Sequence, residues 1–427
     1  MEKDLEYITC DLVVIGSGMA GMAASLFAAR RRMDAVQVGH IGEINFASGL
    51  LDVLGVHPVS TGRVLEYPWE GIARLIEDEP RHPYARAGVS QTRKALAAFI
   101  AFMEEAGCAY VCGRDRNLEA ITPVGVTKPT YAVPHTMING ILALSESKPC
   151  LLVDFMGLKG FSARQIASCL AGRWKKLRTV RLSFPGLSGE VHTERMARAL
   201  EIPDIRQELA AQTKPYLKDA EAVGFPAVLG IQDTVQVLAE LQGALSVPVF
   251  EIPTMLPAVT GLRLRETFER RLPAMGVRTL YQKSVLHADR LQDGRWELEV
   301  GGDAPEIRVH SRAVILASGR FMGKGLHADR GGVRETIFNL PVSQPPNRTF
   351  WHHKDLLDPH GHPINRAGLD IDDRFRPLDG REQPFSDNLF AAGSILAHQD
   401  WMRQKCGSGL AIATAYGAVE ACRMFLG

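Results

Sequence analysis

Three glycines near the start of the chain have the spacing of a phosphate-binding turn. Gly16, Gly18 and Gly21 fill the pattern G-x-G-x-x-G between the apolar run 10–15 and a segment rich in Ala, Leu and Met. The run predicts a buried strand and the segment a helix, whose N-terminus would point free N–H groups at an anion. The glycines would permit a sharp bend and a close approach of pyrophosphate. The alternative is a glycine-rich turn that holds no ligand. The predicted phosphate contacts are Gly16, Ser17, Gly18, Met19, Ala20 and Gly21.

The second half of the usual dinucleotide fingerprint is missing. The next predicted strand, 35–38, ends in Gly39-His40, and the first acid after it is Glu43. A dinucleotide site normally has Asp or Glu about 20 residues beyond the glycines to hold a ribose hydroxyl. Its absence weakens an NAD interpretation and leaves two cofactors open, FMN or an FAD held without that carboxylate.

Two later apolar runs also end in small residues. The run 312–317 leads into Ser318-Gly319, and the run 389–392 leads into Gly393-Ser394. The last predicted helix opens at 407–409, where its positive dipole end would favour an anion or the edge of a reduced flavin ring. The candidate cofactor contacts in these stretches are Ser318, Gly319, Gly393, Ser394, Gly407, Ser408 and Gly409.

The order of the predicted elements is that of an α/β protein. A discontinuous Rossmann-like domain with a parallel sheet is predicted for 1–145, 251–325 and 378–427. We expect a small β-rich excursion near 108–145 and an antiparallel meander between 277 and 309, because alternation with period two is typical of half-exposed strands.

Two further regions interrupt this domain. Strands and helices alternate over 146–250, which predicts an inserted α/β region. The stretch 326–377 is rich in His, Arg and Pro and is predicted to be a cap, or a loop region for a substrate or partner. We expect the loops near 16, 318 and 393 to end neighbouring strands and to converge on one cavity.

A basic helix is predicted over 261–271. It carries Arg263, Arg265, Arg270 and Arg271. We interpret it as a solvated basic face, with an anion site at its start as the alternative.

Histidine pairs do not predict a metal site. His352-His353 and His360-x-His362 lack Cys, Asp or Glu at a recognisable ligand spacing. A solvated surface position is the simpler interpretation for each of them.

Composition limits the classes of function. The chain has 427 residues, 46% hydrophobic and 23% charged, which is ordinary for a globular protein of two or three domains. A formal net charge of +1 argues against a nucleic-acid partner. Seven cysteines without C-x-x-C spacing argue against a disulfide framework or an iron–sulfur cluster and favour a cytoplasmic setting. The N-terminus lacks the features of a signal peptide, and no run of about 18 apolar residues predicts a membrane span.

Several segments resemble a known family. They are similar to the B subunits of anaerobic glycerol-3-phosphate dehydrogenases, which are flavoproteins of the two-dinucleotide-binding-motif superfamily. The segments that carry the resemblance are 45–54, 82–84, 122–125, 253–257 with 261–264, and 314–321.

The resemblance implies a cofactor, a reaction and partners. It implies bound flavin, described for the family as FMN, with Ser48 and Gly49 as further flavin contacts. The implied partners are an FAD-bearing catalytic A subunit and an iron–sulfur C subunit that tethers the complex to the inner membrane and passes electrons to quinone. The reaction would be oxidation of sn-glycerol 3-phosphate to dihydroxyacetone phosphate by hydride transfer to the flavin.

The implied reaction suggests catalytic candidates. A substrate phosphate favours basic side chains, and a base must remove the hydroxyl proton. The candidates are Arg320, Lys324 and Arg334 for the phosphate, and His327 or His398 for the base.

Different functions for the chain also stay open. The partner A subunit could perform this chemistry while the present chain carries electrons. The chain could also be a stand-alone FAD dehydrogenase or reductase of a small hydroxy or oxo acid, or a scaffold without cofactor.

Overall fold

The computed structural model describes residues 5–40 and 43–427, so Ile41 and Gly42 in the loop after the second predicted strand lie outside the described residues. The strands are β1 (Glu6–Ile15), β2 (Ala35–Gly39), β3 (Tyr110–Cys112), β4 (Leu118–Ile121), β5 (Thr127–Thr130), β6 (Ala132–Pro134), β7 (Cys150–Phe155), β8 (Leu177–Leu182), β9 (Ala222–Pro226), β10 (Val249–Ile252), β11 (Arg278–Tyr281), β12 (Ser284–Arg290), β13 (Trp296–Gly301), β14 (Pro305–Leu316), β15 (Leu326–Ala328), β16 (Val333–Glu335) and β17 (Leu389–Ala391).

The helices alternate with these strands through much of the chain. They are α1 (Met19–Arg30), α2 (Pro68–Asp78), α3 (Pro83–Glu105, with non-helical backbone at Gly88), α4 (Ile138–Ser145), α5 (Ala163–Leu170), α6 (Thr193–Ala199), α7 (Pro203–Thr213), α8 (Thr234–Leu245), α9 (Val259–Ala274), α10 (Trp401–Gln404) and α11 (Gly407–Leu426).

The chain divides into two compact units. The first contains the described residues up to Ile44, together with Asp52–Phe99 and Phe268–Gly427. The second contains Asn45–Leu51 and Ile100–Thr267. The predicted insertion 146–250 lies inside the second unit, and the predicted cap 326–377 lies inside the first. The role of 326–377 as a cap stays a prediction.

A mixed sheet forms the centre of the first unit. Its order is β11-β2-β1-β14-β13-β12, and β17 pairs with the end of β14. The pairs β1–β2, β2–β11, β1–β14 and β14–β17 are parallel, whereas β12, β13 and β14 form an antiparallel meander. Leu12, Val13 and Val14 are fully buried, as expected of a strand covered on both faces. The predicted α/β fold with a parallel sheet and a meander is confirmed.

The last helix packs inside the first unit. Its residue Tyr416 contacts Phe27 of α1 edge to face, with ring centroids 5.1 Å apart. By length and composition α11 could cross a membrane, but 67% of its apolar window is buried within the protein. This burial accounts for its apolar composition without a membrane.

The second unit contains a parallel sheet of its own. Its strand order is β10-β9-β7-β8, and all three pairs are parallel. Every residue of β7, β9 and β10 is buried, which agrees with the alternating strands and helices predicted for this region. The strands β3 to β6 form two small antiparallel pairs in the stretch predicted to be β-rich.

Candidate functional site

Three loops leave one edge of the first sheet. The ends of β1, β14 and β17 are aligned, since Ile15 pairs with Leu316 and Leu316 pairs with Ala391. The ladder continues one step beyond the strands, where the Ala317 N–H donates to Ile15 O at 2.8 Å and the Ala392 N–H donates to Leu316 O at 3.0 Å. The structure thus brings together the predicted loops near 16, 318 and 393. In open α/β sheets, ligands bind outside the carboxyl ends of the strands.

Glycines let these loops approach each other closely. Gly16 has a φ of +125°, and a Cβ there would collide with the carbonyl oxygen of Ala317. Gly393 has a φ of +84°, and a Cβ there would lie 2.5 Å from the Cβ of Ala20. Gly21 likewise packs on the backbone of Gly16. The glycines are therefore required by contacts between loops as well as by any ligand.

The N-terminus of α1 keeps its N–H groups available. Gly18 is the N-cap of this helix, no side chain caps it, and its first turn contains no acidic residue. Ser17 does not cap the helix, because its hydroxyl donates to His40 O at 2.6 Å. Free N–H groups and the positive end of the dipole suit a phosphate at Met19 and Ala20.

The missing ribose carboxylate has a steric reason. Gly39 ends β2, and a Cβ there would lie only 2.9 Å from both the nitrogen and the hydroxyl oxygen of Ser17. Gln37, which was not among the candidates predicted from the sequence, is a fully buried residue of β2 whose side-chain amide donates to Gly16 O at 3.0 Å. A lone polar residue within the apolar run 35–38 was the available signal.

An unpaired hydroxyl lies at the end of β14. The Oγ of Ser318 is buried and has no hydrogen-bond partner among residues 5–40 and 43–427. A Cβ at Gly325 would reach this oxygen and the carbonyl of Gly319. A buried hydroxyl without a partner costs free energy unless a ligand satisfies it. Ser318 therefore fits a group bound at the edge where the loops meet.

The start of α11 is bonded to the backbone of Asp52. The Asp52 N–H donates to Ser408 Oγ at 2.7 Å, and the Gly409 N–H donates to Asp52 O at 2.7 Å. Gly407 packs against the Trp401 ring. The first turn of α11 has no acidic residue and no side-chain cap.

Ser48 and Gly49 belong to the second unit. There Gly49, with a φ of +79°, packs against Thr260 and Pro134. The hydroxyl of Ser48 accepts the Leu50 N–H at 3.4 Å. Their contact with flavin stays a prediction.

Arg320 is held by backbone carbonyls. Its Nε donates to Ser394 O at 2.6 Å, and its Nη2 donates to Gln399 O at 3.0 Å and Leu396 O at 3.3 Å. Its Nη1 donates to Asn365 O. Burial lowers the pKa of Arg320 to about 10, so the group stays protonated at neutral pH. These bonds use most of its donors, and they give the side chain a positioning role between the loops that the sequence does not predict.

Two other candidates, His327 and Arg334, lie on the ribbon formed by β15 and β16, and a third, Lys324, lies just before it. Lys324 precedes β15, and His327 of β15 faces Arg334 of β16 across the antiparallel pair. His327 and Arg334 are exposed, and Lys324 lies on the stretch that leads into the ribbon. The ribbon begins beside the strand-end loops, because the Leu326 N–H donates to Arg320 O at 3.4 Å.

His398 is part of a charged group on the loop after β17. Its backbone has a φ of +63°, and its Nε2 lies 2.5 Å from Asp370 Oδ1. Arg81 donates to the same oxygen at 2.8 Å. Burial would raise the pKa of Asp370, but His398 and Arg81 outweigh it and hold that pKa below its ordinary value. His398 is a candidate predicted from the sequence, whereas its partners Asp370 and Arg81 are not, because both lie far from it along the chain.

Comparison with known proteins identifies the family. Residues 11–410 match the family described as the FAD binding domain. A protein from Halobacterium salinarum, named as the probable B subunit of anaerobic glycerol-3-phosphate dehydrogenase, is 33% identical over 96% of this chain and 97% of its own length. The chain belongs to this B-subunit family. Proteins from Vibrio cholerae and Yersinia pseudotuberculosis, named as B subunits of the same dehydrogenase, are each 28% identical, over 96% of this chain and 95% and 97% of their own lengths.

The family membership confirms the resemblance and corrects one expectation. The matched domain is an FAD-binding domain, so a flavoprotein oxidoreductase is supported. The preference for FMN, taken from the resemblance, is not supported. The missing ribose carboxylate therefore does not argue for FMN.

Solved structures show distant similarity to this B-subunit family member. A 3-ketosteroid Δ1-dehydrogenase from Sterolibacterium denitrificans is 10% identical, with a TM-score of 0.46 and coverage of 98% of this chain and 100% of that chain. A flavocytochrome c3 fumarate reductase is 10% identical, with a TM-score of 0.43 and coverage of 98% and 79%.

Proposed function

We propose that this B-subunit family member binds FAD at the edge where the loops near 16, 318 and 393 meet, and takes part in oxidising sn-glycerol 3-phosphate. The observation that carries this proposal is the alignment of the ends of β1, β14 and β17 beside the uncapped start of α1. The name shared by its relatives supports the substrate.

The residues of the edge have distinct roles in this proposal. The first turn of α1 binds the pyrophosphate, and the buried Ser318 hydroxyl bonds to the flavin. Gly319, Gly393 and Ser394 line the ring, together with the start of α11 at 407–409. The bound flavin supplies the hydride acceptor for alcohol oxidation.

His398 is the base that we favour. Its bond to Asp370 holds the ring in one orientation, and a base must be held in this way to accept the hydroxyl proton. Lys324 and Arg334 remain the candidates for the substrate phosphate. Lys324 precedes the ribbon and Arg334 lies within it, and the ribbon begins beside the loops that follow β1, β14 and β17. His327 has no comparable bond to a carboxylate in the described part of the chain.

The proposal includes an assembly. Relatives named as one subunit of a dehydrogenase imply further subunits, and we infer that an FAD-bearing catalytic A subunit and an iron–sulfur C subunit complete the enzyme. Quinone is the proposed acceptor, and a cytoplasmic position on the inner membrane, held by a partner, is the proposed location. If the A subunit oxidises the substrate, this chain passes the electrons on.

The absorption spectrum of the purified chain tests the proposal. We expect flavin absorption in the blue, and acid-released cofactor that migrates with FAD rather than FMN. Glycerol 3-phosphate should then bleach the flavin; bleaching that needs a partner would assign the chain to electron transfer. A colourless protein that cannot be reconstituted with FAD would contradict the proposal and favour a scaffold.

A further inference from the structure

Arg320 carries a charge that its direct partners do not cancel. In the described part of the chain, the guanidinium donates to four neutral backbone carbonyls, those of Asn365, Ser394, Leu396 and Gln399. No carboxylate among the described side chains forms an ion pair with it. By contrast, the buried Arg263 of the second unit is paired with Glu251 through two hydrogen bonds.

The charge lies among the predicted flavin contacts. Arg320 directly follows Ser318-Gly319, and its Nε is 2.6 Å from the carbonyl of Ser394, which follows Gly393. The guanidinium therefore connects the loop after β14 to the loop after β17. The Asp400 carboxylate acts electrostatically on the Arg320 guanidinium and raises its pKa, against the effect of burial. The oxygens of Asp400 accept the Asn365 amide at 3.1 Å and the Arg403 N–H at 3.2 Å.

We propose that the unpaired charge of Arg320 raises the reduction potential of the flavin. The inference rests on the proposed function. A cation held in a partly buried, water-poor site stabilises the negative charge that a flavin gains on reduction. The cradle of four carbonyls keeps the cation in place without neutralising it. Arg320 is thus a positioning and electrostatic residue and does not bind the substrate phosphate.

Sulfite affinity and redox potential test this role without relying on turnover. Sulfite adds to oxidised flavin to give a negatively charged adduct, so its dissociation constant reports local positive charge. In the wild-type protein we expect the adduct to form at millimolar sulfite and the midpoint potential to exceed that of free FAD. Arg320→Met should weaken sulfite binding at least tenfold and lower the potential.

Three variants separate charge from loop support. Arg320→Lys keeps the charge but loses the forked bonds, so sulfite affinity should stay near wild type while Tm falls. Arg366→Met also removes a contact to a loop, the hydrogen bond to His398 O. Because the charge of Arg366 is already paired with Glu79, this variant should leave the reduction potential of the flavin unchanged. Asp400→Asn should shift the potential upward.

The outcomes distinguish the two proposals. Equal sulfite affinities for wild type and Arg320→Met would overturn the electrostatic role while leaving FAD binding intact. The electrostatic role would also be overturned if the flavin of the wild-type protein formed no sulfite adduct and had the reduction potential of free FAD. This test does not depend on whether Arg320→Met folds. A protein that binds no flavin would contradict the proposed function itself.

Discussion

Single residues at the strand-end edge combine structural and chemical constraints. Gly16 must adopt a positive φ and must lack a Cβ to pass Ala317. His398 also has a positive φ and is tied to Asp370, an arrangement that costs backbone strain. At Gly16 and His398, unfavourable backbone conformations are thus retained where they define the geometry of the candidate site.

Replacing Gly16 by alanine should impair flavin binding. A φ of +125° costs an L-residue about 1–3 kcal/mol, and the added Cβ would also displace Ala317. We expect Gly16→Ala to raise the dissociation constant of FAD at least tenfold, measured by flavin fluorescence during titration. Gly62→Ala is the matched control, because Gly62 also has a positive φ, +62°, but has open space around it. An equal increase in the dissociation constant of FAD in Gly16→Ala and Gly62→Ala would contradict this explanation.

The bond between His398 and Asp370 should be needed for substrate oxidation. Asp370→Asn removes the carboxylate that holds the His398 ring, so the rate of oxidation should fall about tenfold or more. The measurement is the rate of glycerol 3-phosphate-dependent flavin reduction. Asp373→Asn removes a neighbouring carboxylate that pairs with Arg86, and should leave this rate unchanged. An unchanged rate for Asp370→Asn would remove His398 as the base.

At the scale of elements, a buried ion pair connects helix α9 to strand β10 of the second unit. Arg263 of α9 donates to both oxygens of Glu251 in β10, at 2.7 and 2.8 Å, and its Nε donates to Gly230 O at 2.8 Å. Burial would lower the pKa of Arg263, but the Glu251 carboxylate outweighs it and raises that pKa. The interpretation of α9 as a solvated basic face is therefore wrong at Arg263, which is 6% exposed.

Breaking this pair should strongly destabilise the second unit. Glu251→Gln leaves Arg263 buried without its counter-charge and should lower the free energy of unfolding by about 3–5 kcal/mol. Denaturant unfolding followed by tryptophan fluorescence would measure it. The exposed pair Arg173–Glu119 supplies the control, since Glu119→Gln should cost only about 0–1 kcal/mol. Similar decreases in the free energy of unfolding for Glu251→Gln and Glu119→Gln would show that burial of the ion pair does not determine the destabilisation.

At the scale of the whole molecule, segments distant along the chain form a polar interior in the first unit. His82 is fully buried; its Nδ1 accepts the Tyr84 N–H at 3.1 Å and its Nε2 lies 3.3 Å from Gln404. The Tyr84 hydroxyl donates to Val53 O at 2.6 Å. The stretch His82-Pro83-Tyr84, one of the segments that carry the family resemblance, thus packs in the interior of the first unit.

Acid should destabilise the fold through His82. Burial lowers the pKa of His82 from 6.5 to about 3, so the folded protein holds it neutral while the unfolded chain takes up a proton. Stability should fall as the pH drops from about 6.5 towards 3, by up to about 1.4 kcal/mol per pH unit. Unfolding free energies at several pH values would test this. In His82→Gln, the slope of unfolding free energy against pH should be shallower by the equivalent of up to one proton. Equal slopes in the variant and the wild type would exclude His82 as a source of the acid destabilisation.

The sequence by itself determined the features that depend on contiguous residues. The strand, glycine turn and helix around Gly16, the meander, and the alternating strands and helices of 146–250 follow from local periodicity and backbone preference. The family also followed from short local motifs. Only the tertiary structure decided which side chains meet: the carbonyl cradle of Arg320, the Asp370 partner of His398 and the Glu251 partner of Arg263. An arginine looks the same in sequence whether it is solvated, paired or held by carbonyls, because burial and partners are set by residues far away along the chain.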